Sequence, residues 1–177
     1  MSIHYESIDE AVRAAMVREI ESDHAKGTLY ISPRLTEAGV DEWPWILREA
    51  AEQHDDAWIA SELRERGLLC LQEQTHTPRG GVTTVRVPRT APETLAEGEF
   101  NRFYARGLCV DVLTSGGDEV EVYRGKDVQP PRPEPEAMIG RRLSARQLLD
   151  DLRSSSGVEP ALGLPPGPNS GLTVRRV

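Results

Sequence analysis

The sequence predicts an α+β protein. Three observations predict it: apolar residues recur at helical spacing in several capped stretches, short β-branched runs stand between Pro and Gly, and apolar residues make up 38 % of the 177 positions. That share supports a core but leaves a fair part of the chain to loop and tail.

The elements follow in order. Ser7-Ile8-Asp9-Glu10 has the form of a capping box, and Ile8, Val12, Ala15, Met16 and Ile20 recur behind it. The spacing predicts a helix over Ile8–Lys26, with Gly27 as its stop. Thr28–Ser32 reads as a short strand ended by Pro33. Asp41 is placed to cap a second helix, with Pro44 in the first turn, where its missing N–H costs nothing, and Trp43, Ile46, Leu47, Ala50 and Ala51 as the apolar face. Asp55 or Asp56 caps a third, with Trp58, Ile59 and Leu63 inward and Gly67 as terminator. Leu68–Gln72 and Val82–Val87 read as strands of a hairpin across the turn-rich Thr75–Gly81, and Pro88 closes it.

Helix, strand, helix, helix, strand, loop, strand is an order that resembles a winged helix-turn-helix. The resemblance covers residues 7–88 and lies in topology alone.

Beyond Pro88, Thr90-Ala91-Pro92-Glu93 forms another capping box. The helix behind it is predicted to run to Leu108, with Ala96, Phe100, Phe103 and Gly107 on one face. Both phenylalanines of the chain lie here, so this helix is expected to anchor the core of the second half. Gly98 and Gly107 each weaken it by ~1 kcal/mol against Ala, a cost tolerated where a neighbouring backbone packs close. Glu119–Tyr123 reads as a strand, Gln129–Glu136 as a polyproline-like connector, and Ser144 as the cap of a short helix carrying Leu148, Leu149 and Leu152. Leu162–Gly171 must be turn or extended chain, and Leu172–Val177 is a candidate terminal strand. The division expected is a winged-helix-like half over 1–88 and an α+β half over 89–177, with a long central helix and a Pro/Gly-rich tail; one continuous domain is the alternative.

The formal charge is −8. Residues 1–88 carry nine Lys/Arg against sixteen Asp/Glu, and residues 89–177 carry twelve against thirteen. An acidic surface repels phosphate backbones at long range, so nucleic acid is not the expected partner, and any anion site belongs in the second half. The segment over residues 55–66 has Asp55, Asp56, Glu62 and Glu65 against Arg64 and Arg66, a poor composition for a helix entering the major groove. Cys70 and Cys109 have no metal-ligand spacing and read as small buried hydrophobes. No apolar run reaches the ~18 residues a membrane span needs, and the first residues have no basic or apolar leader, so a cytoplasmic protein is expected.

Four constellations carry candidate chemistry. Arg124, Lys126, Arg132, Arg141, Arg142 and Arg146 cluster in sequence, and Arg146 falls in the first turn of a helix, where an anion can be held. No glycine-rich phosphate loop accompanies them, so surface pairing with Glu134, Glu136, Asp150 and Asp151 is the expected state. Glu99, Arg102 and Arg106 share a face of the long helix, with Asn101 and Tyr104 adding hydrogen-bonding groups; a solvated ion-pair stripe is the ordinary reading, a substrate-positioning face the sharper one. Asp111, Glu121 and Lys126 invite comparison with the PD-(D/E)xK nucleases, but Tyr123 stands where that pattern requires Lys. His54 beside Asp55 and Asp56 marks a helix boundary rather than a metal site.

Neither GxSxG nor HExxH occurs, and no catalytic residue, metal or cofactor is assigned. The extended Pro-rich segments and a terminal strand able to join a sheet edge through Leu172, Val174 and Val177, in this chain or a neighbour's, point to a non-catalytic interaction or assembly subunit, of a phage-type or other multi-subunit particle. The partner expected is a protein or a second copy. The alternatives are a domain binding a phosphate-bearing ligand through the Arg-rich half, and a DNA-binding regulator.

Overall fold

The computed structural model describes residues 2–78, 80–127, 137–155 and 170–177. The connector Gln129–Glu136 and nearly all of the Leu162–Gly171 stretch lie outside them. The described residues form five helices, α1 (Glu10–Lys26), α2 (Glu37–Gln53), α3 (Asp56–Glu65), α4 (Ala91–Thr114) and α5 (Ala145–Ser154). Five strands complete the fold: β1 (Gln72–His76), β2 (Val82–Arg86), β3 (Glu119–Arg124), β4 (Arg142–Ser144) and β5 (Leu172–Arg176). The class is α+β, with β1 and β2 in one antiparallel pair and β4-β3-β5 in a second antiparallel sheet.

α4 is the axis. α1, α3, α5 and the three-stranded sheet all pack on it. Phe100, Phe103, Tyr104 and Leu108 are fully buried, and one apolar cluster joins them to Met16, Trp43, Ile59, Val122 and Leu148. The core therefore draws on both sides of Pro88. Gly107 permits the closest approach: a Cβ there would lie 2.7 Å from Met16 Cγ and 2.9 Å from the Val12 carbonyl of α1. Gly98 has no such neighbour within 4 Å. No helix among the described residues is long and apolar enough to cross a membrane.

Several boundaries move from their expected places. α1 is capped by Asp9, whose carboxylate accepts the Val12 N–H at 3.0 Å. Ser7 instead joins the chain ends, its hydroxyl accepting the Arg176 N–H at 3.1 Å. Thr28–Ser32 is not a strand: Thr28 and Leu29 donate back to the Asp23 carbonyl, and the Tyr30 carbonyl accepts from the Trp43 indole at 3.0 Å. An isolated antiparallel bridge falls later, where Leu35 pairs with Leu69, Thr36 donates to Leu68 and Cys70 donates to Arg34. Thr36, not Asp41, caps α2, which leaves Pro44 inside the helix and removes one backbone bond there. Thr90 makes no side-chain cap, and α4 runs six residues past Leu108 to Thr114.

The chain termini close on one sheet. β5 pairs with β3 (Val122 opposite Val174, Tyr123 opposite Thr173). Leu172 and Val174 are buried in this chain's own core. The N-terminal segment lies on the sheet as well. The Tyr123 hydroxyl donates to the His4 carbonyl at 2.6 Å and accepts the Glu6 N–H at 2.8 Å.

Candidate functional site

The polar face of α4 is not a solvated stripe. With a neighbour on every side, α4 has little surface to spare, and Glu99, Arg102, Tyr104 and Arg106 are all buried. A buried charge needs partners, and α1 and α5 supply them. Arg106 holds Glu19 Oε2 at 2.7 Å and Asp23 Oδ2 at 2.6 Å, and its guanidinium stands 4.9 Å over the Phe103 ring. Arg153 of α5 reaches the same Glu19 at 2.6 Å. Burial pushes the Glu19 carboxyl up, but the two guanidinium groups outweigh it and hold Glu19 below its ordinary range. Arg102 donates to the Leu152 carbonyl at 3.2 Å and to the Ser155 carbonyl, closing the end of α5. Asn101 clamps β5 from both sides: its amide donates to the Leu172 carbonyl at 3.0 Å, and its carbonyl accepts from Thr173 at 2.6 Å. Tyr104 accepts the Ser7 N–H at 3.2 Å.

Glu99 is the exception in this layer. Its nearest cation is Arg102 at 3.7 Å, its Oε2 has no hydrogen-bond partner, and the residue is 2 % exposed. Burial pushes its carboxyl up to about 7, against the pull of Arg102 and Arg106. Glu99 lines a cavity of about 440 Å³, walled by the Gly27–Ile31 segment, Phe103 and the end of α5.

A second buried acidic group sits on the other side of α4. Asp56, at the start of α3, accepts the Ile3 N–H at 3.3 Å through Oδ2, while Oδ1 has no partner. Burial, then the nearby Glu97 and Asp55 charges, push Asp56 up to about 6. Glu97 is paired with Lys126 through one oxygen. These groups fix the N-terminal segment against α3 and α4.

Among the described residues, members of the arginine cluster have separate partners. Lys126 is with Glu97, Arg142 stands 3.6 Å from Glu119, and Arg141 donates to the Met138 sulfur at 3.2 Å. Arg146 is exposed on α5, Arg124 ends β3, and Arg132 lies outside the described residues. Asp111 and Glu121 are likewise apart, one paired with Arg176 at 2.7 Å and the other with Arg175 at 2.6 Å. His54 caps α2 and stacks on Trp58 at 4.4 Å, a helix-boundary position. Cys109 is buried, and burial alone pushes its thiol up to about 12, far from a reactive thiolate; Cys70 is partly buried beside the Leu35 carbonyl.

One surface was not singled out by sequence. The β1–β2 hairpin stands away from the core with every residue of β2 exposed. Among the described residues β2 pairs only with β1. Leu71 is 85 % exposed and Val82 58 %, and Val85 is exposed on the opposite face. The hairpin is tied down at its base by Arg34, which grips Glu73 through two bonds of 2.7 and 2.9 Å, and by the Val87 N–H on the Leu71 carbonyl.

Comparison of the chain with protein-family models, with curated proteins and with solved structures gives no match.

Proposed function

We propose that this protein is a non-catalytic interaction subunit that joins a multi-subunit assembly by offering the outer edge of β2 to an extended segment of a partner polypeptide. One observation carries the reading: Val82–Arg86 is a β-branched strand with all five residues exposed and, among the described residues, one edge unpaired. Proteins ordinarily guard such an edge with charge, bulges or a covering element, because an unpaired row of N–H and C=O groups recruits another strand. β2 carries a single charge, Arg86, in a chain of formal charge −8. A partner strand therefore meets main-chain hydrogen bonds and the apolar Val82 and Val85 without the repulsion the rest of the surface would impose.

Two further facts support this reading. Arg64 of α3 pairs with Glu93, and Arg66, the C-cap of α3, with Glu42 and Glu62, so the helix that would read DNA already commits its arginines to carboxylates. The terminal strand, the other feature from which assembly is expected, is occupied within this chain.

The test is selection of extended peptides from a random library on the full-length protein, followed by amide hydrogen exchange of the complex. Selected peptides are expected to protect β2 amides, and Val85→Lys is expected to abolish binding while leaving the melting temperature unchanged. Protection elsewhere, or V85K binding as well as the parent, refutes the proposal.

A further inference from the structure

The cavity beside Glu99 is independent of the hairpin and has its own chemistry. Each guanidinium around it is committed to oxygens of the protein. Arg106 serves Glu19 and Asp23, Arg153 serves Glu19, and Arg102 serves the Leu152 and Ser155 carbonyls through one nitrogen while its Nε stands 3.7 Å from Glu99 Oε1. Among the described residues, and with Glu99 ionised, three arginines face three carboxylates, Glu19, Asp23 and Glu99. The formal charges cancel. The remaining bias is negative, since α1 and α5 both end at the cavity wall and helix C-termini carry partial negative charge. The one carboxylate oxygen of this layer without a partner, Glu99 Oε2, is an acceptor. Leu29, Ile31 and Phe103 supply an apolar side.

We infer that this cavity is a binding site for a small alkylammonium compound, with Glu99 as its counter-ion and Phe103 and Leu29 against its alkyl chain. The orphaned oxygen selects a donor, the negative helix ends select a cation over an anion, and the mixed lining selects a short apolar tail. A volume of about 440 Å³ lies in the range of small-ligand pockets.

Binding also takes the proton from Glu99. An ammonium ion meets an ionised Glu99 far more often at pH 8 than at pH 6, because that carboxyl ionises at about 7. Asp23, Arg102, Arg106 and Arg153 are the charged groups around it.

The experiment is an NMR titration of the full-length protein with n-butylammonium, and in parallel with butyrate, at pH 6 and pH 8. Butylammonium is expected to shift the backbone amides of Gly27–Ile31 and the Phe103 ring, with a Kd on the order of millimolar, as fits a ligand of so few atoms. It is expected to bind about tenfold tighter at pH 8 than at pH 6, following the ionised fraction of Glu99. Glu99→Gln is expected to weaken binding about tenfold or more and to remove the pH dependence. Binding of butyrate in place of the amine, no shift at Gly27–Ile31, or E99Q binding as tightly as the parent overturns the assignment. The parent's pH profile and the butyrate arm decide the matter even if E99Q fails to fold.

Discussion

The ionisation of Glu99 sets a measurable slope on stability. In the unfolded chain this carboxyl titrates near its ordinary 4.5; in the folded chain burial pushes it up to about 7. Between those two values the folded state holds a proton that the unfolded state has released. Stability must then fall as pH rises across that window, by about 1.4 kcal/mol per pH unit and about 3 kcal/mol in all. Below pH 4.5 both states are protonated and the term vanishes. Above pH 7 both are ionised, and the full cost remains. Glu99→Gln removes the ionisation and keeps the shape. Its amide brings a donor with no acceptor at the site, a cost of about 1–3 kcal/mol that does not change with pH. The readout is therefore the difference between the two proteins. Urea denaturation at half-unit steps from pH 4 to pH 8 is expected to show E99Q gaining on the parent by about 3 kcal/mol over that range. All other titrating groups, including Asp56 with its similar upward displacement to about 6, are common to both chains and cancel. A difference that stays flat from pH 4 to pH 8 refutes the claim that Glu99 is ionised without a full partner.

Other substitutions separate the roles of neighbouring residues. Gly98→Ala meets nothing within 4 Å and is expected to stabilise by about 1 kcal/mol, whereas Gly107→Ala would press on the α1 backbone and is expected to destabilise by about 1–3 kcal/mol, both read from denaturant midpoints. Arg106→Met strands Asp23 against α4, leaves Glu19 with Arg153 alone, and is expected to cost about 3–5 kcal/mol by the same measurement; a loss under ~1 kcal/mol would show the network to be dispensable. Deleting Leu172–Val177 removes three buried side chains and the outer strand of the β4-β3-β5 sheet, so thermal unfolding is expected to lose more than ~3 kcal/mol or its cooperativity. A truncated chain that melts like the parent would mean that β5 belongs to a partner.

What the sequence made legible follows from which forces act locally. Capping side chains, glycine stops and β-branched runs act over a few residues, and they place α1, α3, the hairpin, β3 and α5 close to where they stand. The misplaced boundaries are those that a distant residue decides. Thr36 caps α2 because its amide and hydroxyl are held by the Leu68 carbonyl, thirty-two residues on. Thr28–Ser32 loses its strand because Asp23 and Trp43 take its polar groups. The polar face of α4 shows the same effect at larger scale. Spacing of Glu99, Arg102 and Arg106 gives a stripe, but whether a stripe faces water depends on what packs there. The nearest local hint was Gly107, next to Arg106, whose missing side chain lets α1 come close enough to bring Glu19 and Asp23 into reach.

That close approach also explains why Glu99 differs from the other charges of the layer. Arg106 points at α1, whose last two turns present Glu19 and Asp23, and it is satisfied twice over. Arg102 points at the end of α5, where carbonyls lack helical partners, and it finds acceptors there. Glu99 lies between these directions, one turn before Arg102, where α1 has ended at Lys26 and the chain has turned through Gly27. No basic residue stands on the Gly27–Ile31 wall it faces. A carboxyl kept there costs stability at neutral pH, and its one ion pair among the described residues, to Arg102 at 3.7 Å, is too long to be a hydrogen bond, whereas Arg106 is held by Asp23 and Glu19 without it. A residue that weakens the fold while lining a cavity is the pattern expected where binding, rather than stability, sets the side chain.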